Sequence, residues 1–353
     1  MLKYHIDLPF NNSNSWEIVN LTKYGIGGFQ GVIYNNGFVY YVPYVLENDR
    51  GTTFFRYDIS KEFTDVEGAW LYNKLGNAGM FEDGIAVDNF IYYVPHYDQN
   101  EELSAKPLRY DATATSSNAY AQYLSELEVS YIGASFDGDF IYYAPYESGY
   151  AEKSFILIYD IDKEFTDPDA WNEIEIPYSR YSGVGFDGTQ IVMAPHCFVS
   201  DDNIEKCSKI LFLNKETQKI TYSDKIYGSY NGVIETDIGL FLVPHMSRAM
   251  QTEFLMIKDE IIHSFYPSIA TGGYWGGTYD GRHVYYTPYN FVEAPLHKNG
   301  EFLRYDTTKN FDDELAWEMI SFAVTDFYYN YEFGYESDES DAIINPEEFT
   351  KFK

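Results

Sequence analysis

Three histidines of the chain share one sequence context and could act together as metal ligands. His96, His196 and His245 each follow directly after a proline that ends a short apolar run. Neutral imidazoles are common ligands of zinc and iron, and three that converge leave a coordination position for water, as in a metal-dependent hydrolase or oxygenase. Tyrosine occupies the same context three times, so the position could instead require only a flat side chain with a polar tip. These tyrosines are Tyr44, Tyr146 and Tyr289.

A second recurring set of aromatic residues could form a binding platform. An aromatic residue stands fourteen positions before each of six prolines, and a tryptophan follows the last of these aromatic residues. Aromatic faces bind sugar rings, prolines and cations, and a cation–π contact contributes on the order of 0.5–2 kcal/mol. The same rings could equally fill the hydrophobic core. The set consists of Phe29, Phe81, Tyr131, Tyr181, Tyr230, Tyr274 and Trp275.

Other chemical signals in the sequence are weak. Two acidic turns, DGD at 137–139 and DID at 160–162, offer carboxylates to calcium, but the spacing of an EF-hand loop is absent. The sequence also contains no GxSxG elbow, P-loop, HExxH or CxxC motif. We therefore expect no cofactor, with zinc or iron at the histidines and calcium at the acidic turns as alternatives.

The elements that would position these residues are clearest in the middle of the chain. A dipeptide of hairpin type, Asp137-Gly138, separates two apolar runs and predicts a type I′ turn, because both residues tolerate positive φ. Pro145 ends the second run, since proline cannot donate a hydrogen bond to a sheet ladder. Two further apolar runs follow at 154–159 and 171–176. Together they predict four antiparallel strands, which is the unit of a β-propeller blade.

This four-strand unit recurs six times along the chain. The prolines that end its second strand lie 44 to 52 residues apart, and a glycine stands twelve residues before five of them. Because a blade needs roughly 40–50 residues, the sequence predicts an all-β fold, a six-bladed β-propeller of four-stranded antiparallel blades. Seven blades with a degenerate last one at 317–345 are the alternative. The prolines are Pro43, Pro95, Pro145, Pro195, Pro244 and Pro288.

The same strand order predicts where a ligand would bind. The entry to each first strand and the loop after each second strand lie on one face of a propeller, whereas the hairpins lie on the other. The longest loops leave from that first face, which is typical of a binding surface. These loops span 45–53, 96–107, 197–208 and 289–300.

Three copies share a longer signature after the third strand. It reads RYDISKEFTD before Trp70, IYDIDKEFTD before Trp171 and RYDTTKNFDD before Trp317. Together with second strands of the IYY type, this pattern resembles the kelch repeat over residues 16–322. Kelch repeats have two glycines after the second strand, where this chain has Pro-Tyr or Pro-His. The resemblance implies a propeller that is more often a binding scaffold than an enzyme, and it carries over no catalytic residues.

The two ends of the chain raise the question of how the ring closes. We expect one propeller domain over residues 1–325 and an acidic C-terminal tail without repeat motif over 326–353. A strand beginning at Trp16 precedes the first copy, and another begins at Trp317. Either strand could complete the sixth blade, because a closed propeller leaves no open strand edge.

Charge and cysteine content limit the partners and the compartment. The net charge of −31 disfavours nucleic acids and anionic membranes, which bind clustered Lys and Arg. The sequence has no run of eighteen apolar residues and no signal-peptide pattern, so we expect a cytoplasmic protein, with export by another route as the alternative. In that compartment Cys197 and Cys207 would be free thiols, and a disulfide between them would fit an exported protein.

These features favour a non-enzymatic recognition or scaffold propeller. Its ligand would be a protein or a glycan, bound on the face that carries the aromatic entries and the Pro-Tyr and Pro-His loops. The first alternative is a metal-dependent enzyme with a histidine-lined central site. The second is a structural component of a larger assembly.

Overall fold

The structure, which is a computed structural model, contains six four-stranded antiparallel sheets. Each of these sheets is one blade of a β-propeller. The structure describes residues 1–21, 29–44, 53–74, 78–98, 100, 102–114, 119–150, 152–177, 180–197, 208–245, 253–270, 273–288 and 300–322. In every blade the four strands lie side by side in the order of the sequence. The predicted six-bladed fold is therefore confirmed.

The strands are numbered in chain order. A separate two-stranded sheet contains β1 (Leu2–Tyr4) and β2 (Trp16–Ile18). Blade 1 consists of β3 (Phe29–Asn35), β4 (Phe38–Pro43), β5 (Thr53–Asp58) and β6 (Trp70–Lys74), and blade 2 of β7 (Met80–Val87), β8 (Phe90–Tyr97), β9 (Leu108–Asp111) and β10 (Tyr120–Gln122). Blade 3 consists of β11 (Val129–Phe136), β12 (Phe140–Ser148), β13 (Lys153–Asp160) and β14 (Trp171–Pro177), and blade 4 of β15 (Tyr181–Phe186), β16 (Gln190–Pro195), β17 (Leu211–Asn214) and β18 (Ile220–Tyr222). Blade 5 consists of β19 (Tyr230–Thr236), β20 (Gly239–Pro244), β21 (Phe254–Lys258) and β22 (Ile261–Phe265), and blade 6 of β23 (Tyr274–Tyr279), β24 (His283–Pro288), β25 (Glu301–Asp306) and β26 (Trp317–Ser321). Short 3-10 turns occupy Ser13–Ser15, Pro168–Ala170 and Glu314–Ala316.

The hairpin of blade 3 differs from the sequence-based prediction. Three residues, 137–139, connect β11 to β12 in place of a two-residue type I′ turn. Gly138 has a φ of +103°, whereas Asp137 closes the loop with its carboxylate. Its Oδ1 accepts hydrogen bonds from the backbone N–H of Asp139 at 2.9 Å and of Phe140 at 2.8 Å. The role of Asp137 is therefore to cap the loop with its carboxylate, and it does not adopt a positive φ.

The first strands of neighbouring blades approach one another closely near the axis. Their pairing with the second strand is interrupted at the recurrent glycine, for example between Tyr181 and Val184. Gly183 has a φ of +120°, and a Cβ built on it would lie 2.5 Å from the Cα of Gly232. A Cβ on Gly133 would lie 2.8 Å from the Cα of Gly183. At Gly133 and Gly183, therefore, only a bare backbone fits, whereas a Cβ on Gly232 or Gly276 would have its nearest neighbour at 3.6 or 3.8 Å.

The same two hydrogen bonds fix the turn between the third and fourth strands in three of the blades. In blade 3 the Tyr159 hydroxyl donates to the Lys163 carbonyl at 2.8 Å, and Trp171 Nε1 donates to the Phe165 carbonyl at 2.8 Å. Blades 1 and 6 contain the same two bonds at the equivalent positions. The shared RYD…Trp signature is therefore a folding motif of the blade edge.

The core lies between adjacent blades rather than within one sheet. Apolar side chains of blade 2, such as Val94, pack against Tyr143 and Leu157 of blade 3 in a single buried cluster. Blades 3 and 4 share a second cluster in which Ile158 meets Met193. Each blade is thus stabilised mainly by burial of apolar area against its neighbours.

The structure decides between the two ways of completing the sixth blade that the sequence left open. The strand from Trp317 is the fourth strand of blade 6, as β26, and it pairs with β25. The strand from Trp16 pairs with β1 and, among the described strands, belongs to none of the six blades. The alternative in which Trp317 completes the sixth blade is therefore the one observed, and the alternative with Trp16 is wrong because that edge is already occupied. The predicted tail at 326–353 lies outside the described residues.

No helix in the described part of the chain has the length and apolar character needed to cross a membrane.

Candidate functional site

Six flat side chains, one from each blade, form a continuous arc that we call the axial arc. The distances between the ring centroids of consecutive members are 5.9, 5.7, 5.3, 4.7 and 5.4 Å. Five members follow the proline of their second strand, and the sixth enters the first strand of blade 6. Tyr289, the predicted post-proline residue of that blade, lies outside the described residues. In blade order the members are Tyr44, His96, Tyr146, His196, His245 and Trp275.

Backbone pairing that continues past the proline holds the histidines in place. The N–H of His196 donates to the Arg180 carbonyl at 3.0 Å, and the N–H of His245 donates to the Ser229 carbonyl at 2.9 Å. The ring of His196 also reaches the next blade, where its Nδ1 lies 3.1 Å from the carbonyl oxygen of Tyr230. Because a carbonyl only accepts, Nδ1 carries the proton and Nε2 keeps its lone pair.

Burial keeps the three histidines of the arc neutral near pH 7. Their exposed fractions are 3% for His96, 8% for His196 and 3% for His245. Burial lowers the pKa of His96 to about 3 and that of His196 to about 4. Burial and the adjacent His196 hold the pKa of His245 well below its usual value. The arc therefore presents polar but uncharged imidazoles.

We expect His196→Tyr to make the protein less sensitive to acid. Between the unfolded pKa of 6.5 and the folded value of about 4, the unfolded chain binds a proton that the folded protein does not. Stability therefore falls as the pH decreases through this range, by up to about 1.4 kcal/mol per pH unit for one group. Tyrosine does not titrate there, and it already fills this position in blades 1 and 3.

Urea unfolding at pH 7 and at pH 4.5 measures this effect. His263→Tyr is the matched control, because His263 is exposed on β22. If the two variants show the same pH dependence, the stated role of His196 is wrong.

A carboxyl pair lies beside the arc in blade 2. Glu82 Oε1 lies 3.6 Å from Nε2 of His96, and the Glu82 side chain hydrogen-bonds with Tyr44. Burial, reinforced by the neighbouring Asp83, raises the pKa of Glu82 to about 8. Burial also raises the pKa of Asp83 to about 6. Near pH 7 the Glu82 carboxyl is therefore mostly protonated, and it becomes an anion at modestly alkaline pH or when a cation approaches.

A second polar group extends the face beyond Tyr146. Glu147 Oε2 accepts a hydrogen bond from the Tyr97 hydroxyl at 2.8 Å, and its Oε1 lies 3.8 Å from Nη2 of Arg180. The guanidinium carbon of Arg180 lies 5.9 Å from the centroid of the Tyr146 ring. Both charged side chains are partly exposed, so this group borders the arc on its solvent side.

The predicted platform of entry aromatics is placed differently. Five of its rings are at most 1% exposed and pack in the clusters between blades. Phe29 packs partly buried against the cluster that contains Tyr41 and Phe55. Only Trp275 of the predicted set joins the arc. The five buried rings are Phe81, Tyr131, Tyr181, Tyr230 and Tyr274.

The three histidines proposed as metal ligands do not form one contiguous group in the arc. Tyr146 separates His96 from His196 in the arc, and only His196 and His245 are neighbours. Across the described residues, no group of three or more His, Cys, Asp or Glu side chains could hold a metal ion. The acidic turns bind lysines instead: Lys215 Nζ lies 2.8 Å from Asp139 Oδ2, and the turn at 160–162 pairs with Lys163.

The cysteine chemistry also differs from the expectation of two free thiols. Cys197 is buried next to the arc and is disulfide-bonded. Its N–H donates to Oγ of Ser229 at 3.0 Å. The only other cysteine of the sequence, Cys207, lies outside the described residues.

Glu82 and Asp83 were not predicted as site residues. The sequence contains one signal for them, because Asp83 stands where the other five copies have glycine. In the structure the Asp83 carboxyl lies against Gly31 of blade 1, with Oδ1 3.1 Å from a Cβ built there. Because Gly31 has no side chain, it leaves room near the axis for the Asp83 carboxyl. This explains why blade 2 can have aspartate where the other five blades have glycine.

Comparison with known proteins leaves the family open. No protein-family model matches the chain, and no curated protein matches it in sequence. The kelch-like signature therefore remains a resemblance in the repeat, while the six-bladed propeller rests on the structure itself. A propeller fold is consistent with a binding or scaffold role.

Proposed function

We propose that the protein is a non-enzymatic recognition module that binds a protein ligand at the axial arc. The observation that supports this most is the arc itself, in which six blades place flat side chains next to one another in tilted or T-shaped pairs. Tyr44, Tyr146 and Trp275 keep part of their surface in solvent. Rigid aromatic side chains of this kind dominate the energetics of many protein interfaces.

The charges around the arc favour a ligand that presents a basic side chain. Glu82 and Glu147 contribute carboxyls beside it, and the chain as a whole carries a net charge of −31. A lysine or arginine would gain cation–π contacts with the tyrosines and an electrostatic contact with Glu82. The acidic surface would also accelerate the approach of a basic partner.

A peptide array and a glycan array, probed in parallel with the purified protein, test this function. We expect binding to peptides that contain Lys or Arg, and at least a tenfold loss of affinity in the double variant Tyr146→Ala/Trp275→Ala. Tyr222→Ala is the control, because that ring is 42% exposed but lies on the outer strand of blade 4. Binding to glycans alone, or peptide binding that the double variant retains, contradicts the proposal.

A further inference from the structure

An arginine of the third strand lies directly opposite a tyrosine of the second strand in blades 1, 2 and 6. In each of these blades the guanidinium also hydrogen-bonds with that tyrosine. Side chains that lie opposite one another on neighbouring strands point to the same face of the sheet, so arginine and tyrosine share one face of the blade. The pairs are Arg56 with Tyr40, Arg109 with Tyr92 and Arg304 with Tyr285.

A phenylalanine of the second strand completes this arrangement in blades 1 and 2. The guanidinium carbon of Arg56 lies 4.4 Å from the centroid of the Phe38 ring. In blade 2 the guanidinium carbon of Arg109 lies 4.6 Å from the centroid of Phe90 and 5.2 Å from that of Phe165 in blade 3. The groove between blades 2 and 3 therefore contains a planar cation that the chain itself supplies and that aromatic rings hold.

Blade 3 keeps the other members of this arrangement but has no arginine at the same position. Its third strand ends in IYD rather than RYD, so that Ile158 lies opposite Tyr142. Phe140 and Asp160 form the preceding pair, as Phe90 and Asp111 do in blade 2. Isoleucine supplies neither the charge nor the hydrogen-bond donors of arginine. Blades 4 and 5 have neither the tyrosine nor the arginine at the equivalent pair.

A cavity lies beside Ile158, among the residues that correspond to the surroundings of Arg109. It measures roughly 450 Å³, including the part that is open to solvent. The turn of blade 4 that borders it, 215–219, is shorter than the corresponding turn of blade 3, 161–170, and contains no counterpart of Phe165. The residues that line the cavity include Phe140, Tyr142, Ile158 and Asp160 of blade 3 and Lys215 and Gln218 of blade 4.

A lysine beside the cavity is compatible with a guanidinium in it. Lys163 also lines the cavity, and its Nζ lies 3.1 Å from Oδ2 of Asp160. Blade 1 has the same pair, since Lys61 Nζ lies 3.7 Å from Oδ2 of Asp58. There the lysine coexists with Arg56 on the same strand pair. A lysine paired in this way therefore does not exclude a second cation from the groove.

The lysine of blade 4 is held by the hairpin of blade 3. Lys215 Nζ donates to the Asp137 carbonyl at 2.9 Å and to Asp139 Oδ2 at 2.8 Å. The Tyr142 hydroxyl donates to Oδ2 of Asp137 at 3.0 Å. Because this bond uses the only proton of the hydroxyl, the Tyr142 oxygen can act towards a ligand as an acceptor. The equivalent oxygen of Tyr40 accepts from Arg56.

We propose that this cavity binds the guanidinium group of an arginine side chain that a partner protein supplies. The Phe140 ring, the Tyr142 oxygen and the Asp160 carboxylate offer such a group the surroundings that the chain gives its own arginines. A planar guanidinium fits this set better than an ammonium, because it covers a ring and donates in its own plane. The site is separate from the axial arc, since Phe140 begins β12 and Tyr146 lies roughly 20 Å further along the strand.

An NMR titration with acetyl-Gly-Arg-Gly-amide, read at the ring signals of Phe140 and Tyr142, tests this site. We expect saturable shifts with this peptide and none with its neutral citrulline analogue. Ile158→Arg should abolish the shifts, because it places the protein's own guanidinium in the cavity, whereas the control Ile158→Leu should retain them. Unchanged ring signals in the wild type, equal shifts with both peptides, or shifts that persist in Ile158→Arg would overturn the proposal.

Tyr142→Phe provides a second variant that keeps the aromatic ring. The affinity read at Phe140 should fall about fivefold, because one hydrogen bond to the guanidinium is lost. An unchanged affinity would overturn the proposed binding mode. The signals of His96 and Tyr146 report on the axial arc separately. Shifts there without shifts at Phe140 would overturn only the site beside Ile158, and the reverse result would contradict only the proposed function of the arc.

Discussion

Gly183→Ala should destabilise the propeller by at least about 3 kcal/mol. The φ of this residue is +120°, which strains any side chain, and the new Cβ would lie 2.5 Å from the Cα of Gly232. That contact is with backbone of the adjacent first strand, so relief would require two blades to separate near the axis. Urea unfolding followed by tryptophan fluorescence measures the loss, and a failure to accumulate folded protein would agree with it.

Gly138→Ala separates the steric effect from the backbone strain. Gly138 has a similar φ of +103°, but a Cβ there would meet no atom within 4 Å. Its substitution should therefore cost only the strain, roughly 1 kcal/mol. If both variants lose the same stability, close packing of the first strands does not stabilise the ring as described.

Glu82→Gln should stabilise the protein increasingly as the pH rises from 5 to 8. The folded pKa of about 8 exceeds the unfolded value of 4.5, so between these values the folded protein holds a proton that the unfolded chain releases. The wild type therefore loses stability with rising pH in this window. The relative gain of the variant should reach several kcal/mol, since each unit of pKa difference corresponds to about 1.4 kcal/mol.

Unfolding free energies at pH 5 and pH 8 measure this gain. Glu126→Gln, at an exposed position, is the control and should show no such trend. A constant difference between Glu82→Gln and the wild type at both pH values would mean that Glu82 is not desolvated in the folded protein.

The repeat was predictable because a physical constraint recurs at each glycine and proline. Gly133 and Gly183 allow close backbone approach between neighbouring first strands, and the proline of each second strand lies opposite the residue that enters the first strand, as Pro195 lies opposite Tyr181. These residues occupy the same position in successive blades, and they therefore leave a fixed spacing in the sequence. The number of complete blades and their strand order followed from that spacing alone.

Features that depend on contacts between blades were harder to predict. The entry residue Tyr131 fills a core cluster between blades. From the sequence alone, an aromatic residue at this position is equally consistent with a binding platform. The sequence also showed Trp16 as a fourth strand but not its partner, because Leu2–Tyr4 is short and lacks the RYD signature. Tyr4 of β1 contacts Tyr285 of blade 6 only in the folded ring, so the sequence alone does not reveal this contact.

The candidate site was predictable in part. The post-proline position identified Tyr44, Tyr146 and the three histidines, since this position recurs at the same place in each blade. Their neighbours in space come from different blades, so no spacing could join them to Glu82. The environment that raises the pKa of Glu82 arises only when the blades assemble.

Titration of a small cationic probe, followed by NMR, tests the proposed binding at the axial arc most directly. The probe is acetyl-Gly-Arg-Gly-amide, and the neutral analogue with glutamine is its control. We predict saturable shifts of the His96 and Tyr146 ring signals with the arginine peptide only. Binding should be tighter at pH 9 than at pH 7, because Glu82 ionises in this interval, and Glu82→Gln should abolish the difference. Shifts spread over exposed carboxylates, equal for both peptides and independent of Glu82, would contradict the account.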